Sequence, residues 1–245
     1  MEIRYYNEYS QCLNRDMNFI VYGHTGIPIL VFPAQDGHCQ DYENFGMVDT
    51  IKDKIEQGLV QLFCVGSVDE ESYSDEMGNP AHRSYILEQF YYHICDEMVP
   101  RIHEINGTGK MIYTTGCSLG ATHAANMMLR RPDLFMGCIG LSGYYDTDLF
   151  FRQYVDENIY NNSPLKYLNG MSSNHPYVAL YNQRKIILCC GQGAWEDEMV
   201  KSTGLMKETF DRLGVHAWTD FWGYDVNHDW DWWRQQLPYF LGHIL

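Results

Sequence analysis

The chain has 245 residues, enough for one large core and not comfortably for two. With 45% hydrophobic and 20% charged residues it has the composition of an ordinary globular protein, which excludes a disordered or fibrous chain. Its 32 acidic and 17 basic residues give a formal net charge of −15, a field that repels phosphate backbones and argues against nucleic acid as a partner.

The first residues, Met1-Glu2-Ile3-Arg4-Tyr5-Tyr6, carry no basic segment leading into an apolar run. The expectation is therefore a chain without an export signal, working in the cytoplasm. No apolar run approaches the ~20 residues of a membrane span, so no membrane partner is expected. The eight cysteines form no Cys-x-x-Cys pair and several sit inside apolar runs, which suits small buried hydrophobes in a reducing compartment. The ten histidines show no zinc spacing, so no metal is expected.

In chain order, apolar runs at 18–22 and 27–32 flank Gly23-His24-Thr25-Gly26, a pattern that predicts a hairpin. A third strand is predicted at 59–65. Asn79-Pro80 reads as a helix cap followed by proline at the first helical position, and Leu87, Phe90, Ile94, Met98, Ile102 and Ile105 continue at helical spacing. Pro100 should kink that helix or end its regular part. Further strands are predicted at 111–115, 136–141, 185–190 and 216–221. Helices are predicted from about 118 to 131, from 200 to 213 ending at Gly214, and from 230 to 244. Strands alternating with helices imply a mostly parallel sheet covered on both faces, in a single domain spanning 1–245. Between 143 and 184 the rhythm breaks, and this Tyr- and Asn-rich stretch is expected to be a cap-like insertion after the sixth strand, above the sheet.

The chemistry centres on Gly116-Cys117-Ser118-Leu119-Gly120, which follows one predicted strand and opens a predicted helix. Gly-x-Ser-x-Gly in that setting is the nucleophile elbow, a turn too tight for side chains two places either side of the serine. Ser118 is thus the expected nucleophile. Cys117 lies one place too early to occupy the apex. A serine hydroxyl needs a base, and in this fold the chain order is Ser, acid, His. Of the later histidines, only His228 lies in a loop between the last strand and the last helix, so it is the expected base. The acid should follow strand 185–190, where Glu196, Asp197 and Glu198 are consecutive. Asp197 is preferred, Glu196 is the alternative, and Asp146 is a distant third. Asp225 and Asp229 are expected to shape the histidine loop. The oxyanion hole should use the Leu119 amide and an amide from the loop Pro33-Ala34-Gln35-Asp36-Gly37, with Gln35 the choice.

The elbow, its continuation through Ala121, Ala124-Ala125 and Arg131-Pro132-Asp133-Leu134-Phe135, then Leu141-Ser142-Gly143, and the closing stretch Phe221-Trp222-Gly223-Tyr224-Asp225-Val226-Asn227-His228-Asp229-Trp230 with Trp232-Trp233, together resemble one family. It is the esterase family of α/β hydrolases that includes S-formylglutathione hydrolases, feruloyl and enterochelin esterases and mycolyltransferases, and the closing stretch resembles an uncharacterised bacterial branch of it. The resemblance implies the α/β-hydrolase fold and a serine esterase acting through an acyl-enzyme, with no cofactor. In mycolyltransferases the acid is a glutamate seventh in a Gly-x-Gly-led segment, and counting from Gly191 reaches Asp197. The expected substrate is a small neutral ester, such as an acetylated sugar or aryl ester. An acyltransferase with the same triad and a non-catalytic binding protein on the same scaffold are the competing readings. A homo-oligomer is compatible with the sequence.

Overall fold

The computed structural model describes residues 1–245. Eight strands form one sheet: β1 (Ile3–Ser10), β2 (Arg15–Tyr22), β3 (Ile27–Phe32), β4 (Val60–Val65), β5 (Ile112–Cys117), β6 (Phe135–Leu141), β7 (Lys185–Cys190) and β8 (Trp218–Phe221). Their spatial order is β1-β2-β4-β3-β5-β6-β7-β8; β1 and β2 are antiparallel to their neighbours and β3 to β8 run parallel. This is the mostly parallel sheet expected from the alternating pattern, in the α/β-hydrolase fold that the resemblance implies.

The helices are α1 (Asp41–Asn44), α2 (Met47–Thr50), α3 (Lys52–Glu56), α4 (Pro80–Tyr92), α5 (Val99–Asn106), α6 (Leu119–Arg130), α7 (Asp148–Phe151), α8 (Glu157–Asn161), α9 (Pro164–Asn169), α10 (Pro176–Tyr181), α11 (Asp197–Leu213) and α12 (Trp230–Leu241). None is long and apolar enough to cross a membrane. The strands divide their side chains by the period of two. Leu30, Phe32, Phe63, Val65, Ile186 and Leu188 join one apolar cluster with residues of α4, α5, α6 and α11. Ile29, Val31, Leu62, Cys64, Ile187 and Cys189 join the other with residues of α2, α3 and α12. Burial on both faces explains why the central strands read as continuous apolar runs.

The hairpin expected between 18–22 and 27–32 does not form. β4 lies between β2 and β3 and pairs with both. Gly23 and Gly26 are at φ +91° and +114°, and a Cβ on Gly26 would lie 2.5 Å from the Leu59 carbonyl carbon, so these glycines turn the chain across β4. The real hairpin is β1 with β2. Asn79 caps α4 by accepting from the Ala81 N–H at 2.9 Å, with Pro80 behind it. Pro100 cannot donate to the helix, and the six residues His93–Met98 form a π-helical segment where the register shifts before α5.

The segment 143–184 between β6 and β7 carries α7 to α10. It is tied to the elbow helix through Asn162, which accepts from Asn126 Nδ2 of α6 at 2.9 Å and joins a largely buried ion pair between α6 and α4. Arg130 Nη2 of α6 donates to Glu88 Oε1 of α4 at 2.6 Å, and Asn162 Nδ2 donates to Glu88 Oε2 at 2.7 Å. The Arg130 guanidinium also lies 3.4 Å above the Tyr91 ring.

Candidate active site

The elbow stands at the carboxyl end of β5. Ser118 is at φ +56°, ψ −126°, a strained conformation for a serine, and its N–H donates to the Leu141 carbonyl at 2.8 Å. The flanking glycines are required by contact. A Cβ on Gly116 would lie 2.4 Å from the Gly120 carbonyl carbon, and one on Gly120 would lie 2.3 Å from the Pro33 oxygen. The second contact also sets the 33–37 loop beside the first turn of α6. Cys117 is fully buried, with its Sγ 3.7 Å from the Tyr42 hydroxyl, and burial pushes its thiol up to about 12. It is packing, not a rival nucleophile.

His228 lies in the loop between β8 and α12, and its Nε2 is 2.9 Å from Ser118 Oγ. The structure thus brings together the serine and the histidine singled out from sequence, 110 residues apart. The other later histidines are elsewhere. His123 Nε2 pairs with Asp69 Oδ1 at 2.9 Å in the buried interior, and His175 Nδ1 accepts the Tyr177 N–H at the start of α10. His216 and His243 line a cavity of about 420 Å³ with Arg184, Lys185 and Trp218, at the end of β7 opposite the serine.

The acid expected at Asp197 requires a correction. Asp197 is the first residue of α11 and is exposed, whereas Glu196 is fully buried and places Oε2 3.6 Å from His228 Nδ1. That separation is an ion-pair distance and longer than a hydrogen bond. Neither Glu196 Oε2 nor His228 Nδ1 has another protein partner within hydrogen-bond distance, and each lies nearest to the other. The one-residue displacement is local. Trp195, just before Glu196, is at φ +67°, and Glu196 is buried at the N-cap of α11, which begins at Asp197. Asp146 is also elsewhere, bonded to Ser163 Oγ at 2.8 Å and Lys166 Nζ at 2.6 Å. Burial raises its pKa, but these donors outweigh burial and hold it below the usual value. Glu198 is exposed on α11. Asp229 caps α12 by accepting from the Asp231 N–H.

The acid and base loops are bound to each other through main chain. Gly193 N donates to Val226 O at 2.8 Å, Gln192 N to Gly223 O at 3.2 Å, and His228 N to Ala194 O at 3.0 Å. Asn227 Oδ1 accepts from Ala194 N at 2.8 Å. A Cβ on Gly191 would lie 2.0 Å from Val226 O, and one on Gly193 2.4 Å from Asn227 Oδ1, so the Gly191-Gln192-Gly193 pattern is what lets these loops touch.

Glu196 Oε1 faces away from His228. It accepts from Ser142 Oγ at 2.5 Å and from Gly191 N at 3.3 Å, and Trp233 Nε1 donates to Ser142 Oγ at 3.0 Å. Ser142 and Trp233 occur in stretches that carry the family resemblance, but neither is a nucleophile or base candidate, so residue chemistry alone did not single them out. The N–H groups of Leu119, at the first turn of α6, and Gln35, in the loop beside it, donate to no main-chain acceptor. Gln35 holds that loop through its side chain, Nε2 to Ser74 Oγ at 2.8 Å.

Residues 10–244 match the family described as "Putative esterase". No curated protein matches the chain. Among solved structures, a ferulic acid esterase superposes with a TM-score of 0.75 at 16% identity, over 96% of this chain and 95% of that one. MPT51 (FbpC1) of Mycobacterium tuberculosis superposes with a TM-score of 0.72 at 15% identity, over 98% and 97%. An S-formylglutathione hydrolase of Staphylococcus aureus gives a TM-score of 0.66 at 15% identity, over 96% and 94%. The family match spans almost the whole chain, and with it this protein belongs to the esterase family of α/β hydrolases and is a carboxylic ester hydrolase.

Proposed function

We propose that the protein is a serine esterase working through Ser118, His228 and Glu196 with a covalent acyl-enzyme. The observation that carries this reading is the continuous line from Ser118 Oγ to His228 Nε2 at 2.9 Å and from His228 Nδ1 to Glu196 Oε2 at 3.6 Å. His228 takes the serine proton as Oγ adds to the ester carbonyl, and the buried Glu196 carboxylate stabilises the imidazolium that forms. The proton then passes from His228 to the departing alkoxide, which leaves as the alcohol. Water, deprotonated by the same imidazole, adds to the acyl carbonyl and releases the acid with Ser118 restored. Catalytic contacts of this kind are commonly long in the free enzyme and shorten when substrate excludes water, which suits the 3.6 Å separation.

The Leu119 and Gln35 amides would hold the oxyanion. Both lack main-chain acceptors, both flank the elbow, and the Leu119 amide also lies at the positive end of α6. The substrate is a small neutral ester, since a net charge of −15 opposes an anionic one.

The test is hydrolysis of p-nitrophenyl acetate and butyrate. Ser118→Ala should lower kcat by at least about 10³-fold, with the melting temperature little changed. Hydrolysis that survives this change would remove Ser118 from the mechanism, and the acetate-to-butyrate ratio of the wild type sizes the acyl site.

A further inference from the structure

We infer that Ser142 and Trp233 form a two-residue positioning relay that sets the orientation of Glu196, and through it of His228. The inference rests on Glu196 being the acid of the triad.

Glu196 is fully buried, and its two oxygens have separate tasks. Oε2 faces the imidazole, while Oε1 is held by Ser142 Oγ at 2.5 Å and more loosely by Gly191 N at 3.3 Å. The short contact is the one able to fix rotation of the carboxylate. If it is lost, the Gly191 amide alone cannot hold Oε2 towards Nδ1.

A serine hydroxyl can donate or accept, so its single proton could in principle point elsewhere. Trp233 removes that freedom. An indole N–H is a donor only, and Nε1 donates to Ser142 Oγ at 3.0 Å. With one lone pair so occupied, the Ser142 proton is directed to Glu196. The order of donation is Trp233 to Ser142 to Glu196, with the indole fixed as the donor at the first step.

Ser142 is held at a backbone cost. It stands at φ +57°, and its N–H donates at 2.6 Å to the carbonyl of Cys189, two residues before Gly191. A glycine would adopt this conformation freely, so a serine here is a strained choice. It is also fully buried, so solvation cannot account for the hydroxyl. Trp233 is 3% exposed, and its ring packs edge-on to His228 with centroids 4.9 Å apart at 85°. One side chain of α12 therefore bears on the base directly and on the acid through Ser142. Of the buried titratable groups near Glu196, Tyr145, Cys189 and Cys190 have their pKa raised by burial, which leaves them neutral, and the adjacent Asp197 and Glu198 are exposed.

The test is a double-mutant cycle. Ser142→Gly removes the hydroxyl and suits φ +57°, so the chain should still fold. Ser142→Gly with Trp233→Phe also removes the indole N–H that would otherwise be buried without an acceptor. Melting temperatures check that each variant is folded. In the wild-type background Ser142→Gly should lower kcat by about 10- to 100-fold, the range expected for a hydrogen bond to a charged group, with KM within about twofold. Trp233→Phe should lower it in the same direction. In a Glu196→Ala background Ser142→Gly should not lower kcat further, because the group it positions is gone, whereas Trp233→Phe keeps whatever part of its effect comes from its direct packing on His228. Equal losses from Ser142→Gly in both backgrounds, or an unchanged kcat for that variant, would overturn the relay. If Glu196→Ala alone retains nearly full activity, the assignment of the acid fails first, and the relay fails with it.

Discussion

At Glu196 and Asp197 a single residue step separates a fully buried carboxylate from an exposed one. The consequence is a sharp contrast between two neighbouring substitutions. Glu196→Ala should lower kcat on p-nitrophenyl acetate by about 10³- to 10⁴-fold, the scale seen when a triad acid is lost. Asp197→Ala should stay within about twofold, with a small loss of thermal stability as α11 loses an acidic residue from its first turn. The reverse ranking would restore the assignment made from sequence. The pairing of serine with histidine could be read from sequence because each candidate is fixed by an element boundary: the elbow between strand and helix, and the loop before the last helix. The proposed acid could not be read this way. Counting positions from Gly191 assumes an even path, and Trp195 at φ +67° breaks it. A tryptophan, 84% exposed and in a conformation that favours glycine, gives no advance notice of that turn.

The loops after β7 and β8 form one unit, because five main-chain or side-chain bonds join them and two glycines keep them in contact. Substitution at these glycines should therefore separate acid from base without reaching the core. Gly191→Ala would place its methyl carbon 2.0 Å from Val226 O, which cannot be relieved by rotating a side chain. The expected result is a kcat loss of about 10²-fold, the penalty for a displacement near 1 Å at a catalytic group, in a protein that still melts cooperatively. Kinetics beside a thermal melt would show it, and a variant with full kcat would mean the loops have slack. The central strands and the long helices were legible because continuous apolar runs and helical periodicity are strong signals. The pairing of strands was not: which strand lies beside β2 depends on β4, some 40 residues later in the chain, and no local pattern encodes that choice. The short helices α1 to α3 were also missed, since four or five residues are too few to display a period.

For the molecule as a whole, acid is the condition under which stability should fall. Glu97 accepts from Ser10 Oγ at 2.7 Å, from the Gln11 and Cys12 N–H groups at 2.8 and 3.1 Å, and from His93 Nδ1 at 2.7 Å, fastening the β1–β2 turn to the π-helical segment. Burial raises its pKa, but these donors prevail and lower it to about 2. Because the folded value lies below the ordinary 4.5, the stabilisation is fully present above 4.5 and is lost as pH falls towards about 2. Burial lowers the pKa of His93, which acts in the same direction, because acid must charge a histidine that the fold keeps neutral. Glu97→Gln should thus melt at a lower temperature than wild type at neutral pH, and the two curves should converge as pH approaches 2. A gap that stays constant across this range would show that the carboxylate charge is not what fastens the turn.

Glu196, His228 and Trp233 all lie between residues 191 and 233, in the last quarter of the chain, whereas the elbow that carries Ser118 is complete by residue 120. The sheet up to β6 and the elbow helix can therefore form while the machinery that activates the serine has yet to be made or has yet to dock. During synthesis, catalytic competence should therefore trail the appearance of the elbow, because it waits for the 191–233 loops and α12 to seat on it. Esterase activity thus reports that docking, not merely how much of the sheet has formed.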